Sequence, residues 1–177
     1  WPKAEPLIHD GLVYFHSWNS FLTALDAESG ELVWQVDFFE HGATRVGHHN
    51  KGGNWSGPLM AEGSVIVFFD TAQTGTHSIA LDPKTGGVNW LTPTPGSAFR
   101  GSKSSMNVGR VDGKTAVMIS GGFRTLGLDA ANGQQLWTCE YYGQVIPPEV
   151  REKPNRVTWP GGIPFAVDGV VVDYALP

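Results

Sequence analysis

Short apolar runs recur along the chain, each just after an acidic residue and a glycine. Leu12-Val13-Tyr14-Phe15 follows Asp10-Gly11, Val65-Ile66-Val67-Phe68 follows Glu62-Gly63, Ala116-Val117-Met118-Ile119 follows Asp112-Gly113, and Val170-Val171-Val172 follows Asp168-Gly169. The runs are too short for helices and rich in β-branched and aromatic residues, so they read as strands. An acidic residue and a glycine between apolar runs mark a tight hairpin turn, because glycine tolerates the positive φ such a turn needs. Pro6, Pro58 and Pro164 each stand five residues before the turn glycine, and Val108 takes that place in the third unit. A strand is expected from the proline to the turn and a second strand beyond it.

A longer element repeats in step with these hairpins. It reads Ala24-Leu25-Asp26 to Gly30 to Trp34, then Ala80-Leu81-Asp82 to Gly86 to Trp90, then Gly127-Leu128-Asp129 to Gly133 to Trp137, with glycine four and tryptophan eight residues after each aspartate. A third strand should end at Leu-Asp and a fourth should run from the glycine through the tryptophan. The fold class expected is therefore all-β, a β-propeller of four-stranded antiparallel blades. Its blades should cover about 1–45, 56–95 and 103–140, with a fourth beginning at about 161–177. About three and a half blades leave a sheet edge and an apolar face without a neighbour, so the chain is expected to belong to a longer propeller.

Composition narrows the partners. There are 12 Lys+Arg against 17 Asp+Glu, a net charge of −5, so no general basic surface is expected for nucleic acid. No apolar run approaches the length of a membrane-spanning helix. Cys139 is the only cysteine, which excludes an intramolecular disulfide and a multi-cysteine zinc site. Glycine (23) and proline (12) suit many turns, and charged residues at 16% leave little for a solvated tail.

The Ala-Leu-Asp-x-x-x-Gly-x-x-x-Trp element resembles the tryptophan-docking motif of pyrroloquinoline quinone (PQQ) repeats, which build the quinoprotein alcohol dehydrogenase-like propellers of seven or eight blades. The resemblance covers nearly the whole chain. It implies a structural role for Asp26, Gly30, Trp34, Asp82, Gly86, Trp90, Asp129, Gly133 and Trp137. Catalytic relatives hold PQQ in the central channel, stacked on a tryptophan, with calcium on acidic and amide side chains and an aspartate as base. Many also carry a Cys-Cys pair, which this chain lacks. The resemblance therefore implies a non-catalytic binding or assembly scaffold in the periplasm or outside the cell, whose partners are the remaining blades and a polypeptide or small polar ligand. The alternative is part of a PQQ- and calcium-dependent alcohol or sugar dehydrogenase, with residues 38–56 and 139–162 lining the channel.

Candidate ligand-binding residues fall in the long connections between blades, where loops exceed what a turn requires. They are His48, His49, Asn50, Lys51 and Trp55 in the first connection, Arg100 in the second, and Asn155, Arg156 and Trp159 in the third. Adjacent histidines on an extended chain point to opposite sides, so His48 and His49 do not form a metal site by themselves. No catalytic set and no metal site is expected among them.

Overall fold

The computed structural model describes residues 5–17, 20–43, 57–71, 75–95, 105–121, 124–140, 165–167 and 170–172. Three four-stranded antiparallel sheets follow one another, each a meander in chain order. The first contains β1 (Leu7–His9), β2 (Leu12–His16), β3 (Phe21–Asp26) and β4 (Leu32–Asp37). The second contains β5 (Leu59–Ala61), β6 (Ser64–Thr71), β7 (Gly75–Leu81) and β8 (Val88–Pro95). The third contains β9 (Ser105–Val111), β10 (Lys114–Gly121), β11 (Arg124–Asp129) and β12 (Gln135–Glu140). A final hairpin pairs β13 (Phe165–Val167) with β14 (Val170–Val172). These sheets are propeller blades.

The hairpins arise from local turn chemistry. At each described acidic-glycine pair both residues take positive φ: Asp10 46° and Gly11 75°, Glu62 46° and Gly63 70°, Asp112 49° and Gly113 78°. That is the signature of a two-residue turn whose twist matches the strands. The third blade departs from the other two in register. Asp26 pairs with Leu12, one residue after Gly11, whereas Asp129 pairs with Ala116, three after Gly113. The β9–β10 hairpin therefore extends two residues further before turning, and β9 begins well before Val108. A register shift recurs at Ala24/Leu25, Ala80/Leu81 and Gly127/Leu128. Such bulges bend a strand and re-aim its side chains, and each here lies opposite the stretch that carries the tryptophan.

The side-chain period of two decides which residues meet between blades. Tyr14, Leu22, Ala24 and Trp34 of the first blade form one core with Val65, Val67, Phe69, Ile79 and Leu81 of the second. On the opposite face of the second blade, Ile66, Phe68, Ala80 and Trp90 pack with Val117, Ile119, Leu128 and Ala130 of the third. The second blade is thus buried on both faces, which explains why Val65 to Phe69 is an unbroken apolar run. Burying one such side chain stabilises by about 1.5–3 kcal/mol relative to exposure. At the end of β4 the chain makes a short 3₁₀ turn, Phe38–His41, where Asp37 Oδ1 accepts the Phe39 N–H at 2.9 Å. Phe38 then stacks on Phe69, ring centroids 4.8 Å apart.

The first strands lie on the inner side, with β9 alongside both β5 and β13. The tryptophan-bearing strands β4, β8 and β12 are outermost. In the three four-stranded blades, antiparallel order puts the described acidic-glycine turns and the Asp-to-Gly turns at one end, as the bond from Ala27 N to Gly11 O (2.8 Å) shows. The connections to the next blade attach at the other end.

Candidate functional site

Trp34 stands on β4, yet its partners belong to the next blade. Its Nε1 donates to the carbonyl of Pro83 at 2.9 Å. A Cβ placed on Gly86 would come within 2.9 Å of the indole. Trp90 repeats the arrangement one blade on: its Nε1 donates to the carbonyl of Ala130 at 3.0 Å, and a Cβ on Gly133 would lie 2.6 Å from its ring. Pro83 and Ala130 each follow the aspartate of the repeated element. Each indole therefore addresses the same turn, its N–H on the carbonyl after the aspartate and its ring against the glycine. Gly86 (φ 72°) and Gly133 (φ 73°) need their missing side chains twice over, for the backbone conformation and for the ring.

Two further groups join these junctions. The Tyr14 hydroxyl also donates to Pro83 O, at 3.1 Å, with its ring 5.9 Å from that of Trp34. Thr92 Oγ1 donates to Gly133 O at 2.8 Å. Trp137 differs: its half-buried indole lies over Gly127 of its own blade, where a Cβ would collide with the ring.

The three aspartates organise the turns that receive the indoles. Asp26 Oδ1 accepts the N–H groups of Glu28 (3.0 Å) and Ser29 (2.8 Å) and the Ser29 hydroxyl (2.9 Å). Asp82 Oδ1 does the same with Lys84 N (2.9 Å), Thr85 N (2.8 Å) and the Thr85 hydroxyl (3.0 Å). In the third blade Asn132 takes the place of the hydroxyl residue. There Asp129 Oδ1 accepts from Ala131 N and Oδ2 from Lys114 Nζ, each at 3.0 Å. Bonds to the charged form hold these carboxyls below the usual carboxylate range. The Ser29 amide leads for Asp26, the Thr85 amide for Asp82 and the Lys114 ammonium for Asp129. Tyr14 is pushed up, first by burial and then by the nearby charges of Asp10 and Asp82.

All nine residues of the repeated element are described and sit in or beside these turns and junctions. The loop candidates His48, His49, Asn50, Lys51, Trp55, Arg100, Asn155, Arg156 and Trp159 lie outside the described residues. Sequence reading missed the acceptors of the indole N–H groups, because Pro83 and Ala130 act through backbone carbonyls that no residue type marks. It also missed the link from Thr115 Oγ1 to Glu62 Oε1 between the second and third blades. Among the described residues no group of three or more His, Cys, Asp or Glu could hold a metal ion, and no helix is long and apolar enough to cross a membrane.

Successive four-stranded blades, with outer-strand indoles seated on the next blade's aspartate-to-glycine turn, define a β-propeller. The family model described as "Outer membrane protein assembly factor BamB" matches residues 2–151, and the chain belongs to this PQQ-repeat family. Among curated proteins it is similar to tetrathionate hydrolase of Acidithiobacillus ferrooxidans, 24% identical over 94% of this chain and 41% of the hydrolase. Among solved structures, BamB from Moraxella catarrhalis superposes with a TM-score of 0.60 at 22% identity, over 94% of this chain and 44% of that one. A quinohemoprotein alcohol dehydrogenase from Pseudomonas putida HK5 superposes with a TM-score of 0.55 at 16% identity, over 95% of this chain and 30% of that one. The chain thus spans less than half the length of each of these proteins, and the two structural likenesses show a shared fold.

Proposed function

We propose that this chain is part of a non-catalytic propeller scaffold, located in the periplasm or outside the cell, that binds a polypeptide partner. One observation carries the reading: the three aspartates and two of the tryptophans of the repeated element are taken up by structure. The Asp26, Asp82 and Asp129 carboxylates accept turn hydrogen bonds, and the Trp34 and Trp90 indoles are bound to the next blade. In these turns and junctions the carboxylates and indoles are committed to the architecture of the blades. The match to an assembly-factor model over residues 2–151 supports the same reading. The nine repeated residues have a docking role in it, and the remaining blades of the same propeller are the first partners.

The fold shared with a quinohemoprotein alcohol dehydrogenase supports a second reading, part of a PQQ- and calcium-dependent dehydrogenase. In that reading residues 38–56 and 139–162 line the channel, and PQQ supplies the hydride- or electron-accepting chemistry when bound. Calorimetric titration of the protein with PQQ, with and without calcium, separates the two. The scaffold gives no saturable heat at tens of micromolar quinone. Calcium-dependent binding of one quinone per propeller overturns it.

A further inference from the structure

The turn of the third blade holds a chemically labile pair, Asn132-Gly133, inside the junction with the second blade. Asparagine is thermolabile because the next backbone nitrogen can attack its side-chain carboxamide, and a following glycine has no side chain to shield that nitrogen. The pair occurs once in the chain. Ser29 and Thr85 stand at the same place in the first and second blades and cannot react in this way. All three residues do the same structural job. Ser29 Oγ accepts the Glu31 N–H and Thr85 Oγ1 the Gly87 N–H, each at 3.2 Å, and Asn132 Oδ1 accepts the Gln134 N–H at 2.9 Å.

Asn132 is exposed to water, but the nitrogen that would attack it is engaged. The Gly133 N–H donates to Asp129 O at 2.8 Å, and Gly133 is buried. The second blade covers it: a Cβ built there would lie 2.5 Å from Thr92 Oγ1 and 2.6 Å from the Trp90 ring. Thr92 Oγ1 also donates to Gly133 O at 2.8 Å. Gly133 is therefore held at its nitrogen by its own turn and at its carbonyl by the neighbouring blade. Ring closure with Asn132 requires the amide hydrogen bond to break and the turn to rotate, and rotation drives Gly133 against the indole.

We propose that Asn132 is a deamidation site gated by the junction of the second and third blades, closed while Trp90 is docked on Gly133 and open when it undocks. In the opened turn the Gly133 backbone nitrogen attacks Asn132 Cγ. The N–Cγ bond forms, the Cγ–Nδ2 bond breaks, and ammonia leaves with the proton of the Gly133 amide. Water then opens the cyclic imide at one of its two carbonyls, giving aspartate or isoaspartate, and no oxidant or reductant is consumed. Aspartate keeps an acceptor for the Gln134 N–H. Isoaspartate carries the main chain through Cβ, one atom longer, and moves Gly133 out of place beneath Trp90. A transient undocking is thereby made permanent. The gate belongs to the blade junction and holds for either reading of function.

The test is incubation of the protein at mildly alkaline pH, in native buffer and in urea, with mass spectrometry of the proteolytic fragment that bears Asn132. The chemistry is slow, so its rate follows the population of the opened junction. Deamidation in native buffer should be at least about tenfold slower than in urea. Trp90→Phe, which removes the indole donor to Ala130 O, should speed the native reaction by about tenfold. Thr92→Val removes only the bond to Gly133 O and should speed it by about two- to fivefold, a milder change that leaves the indole in place. Trp34→Phe, at the other junction, should leave the rate unchanged, which separates local undocking from global unfolding. In protein enriched in isoaspartate, the Trp90 indole N–H resonance should move and that of Trp34 should not. Equal rates in native buffer and urea, no reaction in urea, or acceleration by Trp34→Phe as large as by Thr92→Val overturns the proposal.

Discussion

Trp34 and Trp90 make the same contact with different consequences when it is removed. Pro83 O accepts from both Trp34 Nε1 and the Tyr14 hydroxyl, but Ala130 O accepts from Trp90 Nε1 alone among the described residues, and Ala130 is fully buried. A buried carbonyl left without a donor costs about 1–3 kcal/mol. Trp90→Phe should therefore destabilise more than Trp34→Phe by about 1–2 kcal/mol in urea denaturation, and Tyr14→Phe should narrow that gap when combined with Trp34→Phe. Ser78 lies at the same junction with its hydroxyl fully buried and no partner among the described residues. Ser78→Ala should accordingly raise stability by about 1 kcal/mol. The lowered pKa values of Asp26, Asp82 and Asp129 set a pH dependence of definite sign. Their folded values lie below the unfolded value near about 4, so their contribution is complete above that pH and is lost as pH falls through the folded values. Thermal unfolding should thus show Tm falling in acid below about pH 4, less steeply in Asp82→Asn.

At the scale of turns and strands, the glycines can be sorted by what lies over them. Gly63 and Gly86 share a left-handed conformation, at 70° and 72°, but only Gly86 has a ring against it. Gly63→Ala should cost about 1–2 kcal/mol for the conformation alone, while Gly86→Ala and Gly133→Ala should cost at least about 2 kcal/mol more, because an indole must also move. The hairpins were legible in the sequence because an acidic residue and a glycine specify their turn within two residues. The strand order followed from the spacing of aspartate, glycine and tryptophan. The two-residue extension of the β9–β10 hairpin was not legible, since Asp112-Gly113 marks a turn without stating how far the strands run before it. Nor was the 3₁₀ turn Phe38–His41, whose capping Asp37 sits in a stretch that otherwise reads as the end of a strand.

Across the whole chain, the fold was far more legible than the site. Blade architecture depends on local turn chemistry repeated in register, and each repeat reinforces the reading of the others. The junctions between blades depend on where a side chain of one repeat meets the backbone of the next. Tryptophan and glycine show that a contact exists, but not that the acceptors are the carbonyls of Pro83 and Ala130. The long connections bearing His48, Arg100 and Trp159 have no repeated register, so their residues suggested chemistry without an arrangement, and they lie outside the described residues. Interblade docking through the repeated element underlies both the architecture and the scaffold reading. It is tested most directly by the indole ¹H–¹⁵N spectrum of the protein and of its Gly86→Ala and Gly133→Ala variants. Gly86→Ala should shift the Trp34 resonance and Gly133→Ala that of Trp90, each leaving the other in place. An unmoved Trp34 resonance in Gly86→Ala, or an unmoved Trp90 resonance in Gly133→Ala, would contradict it.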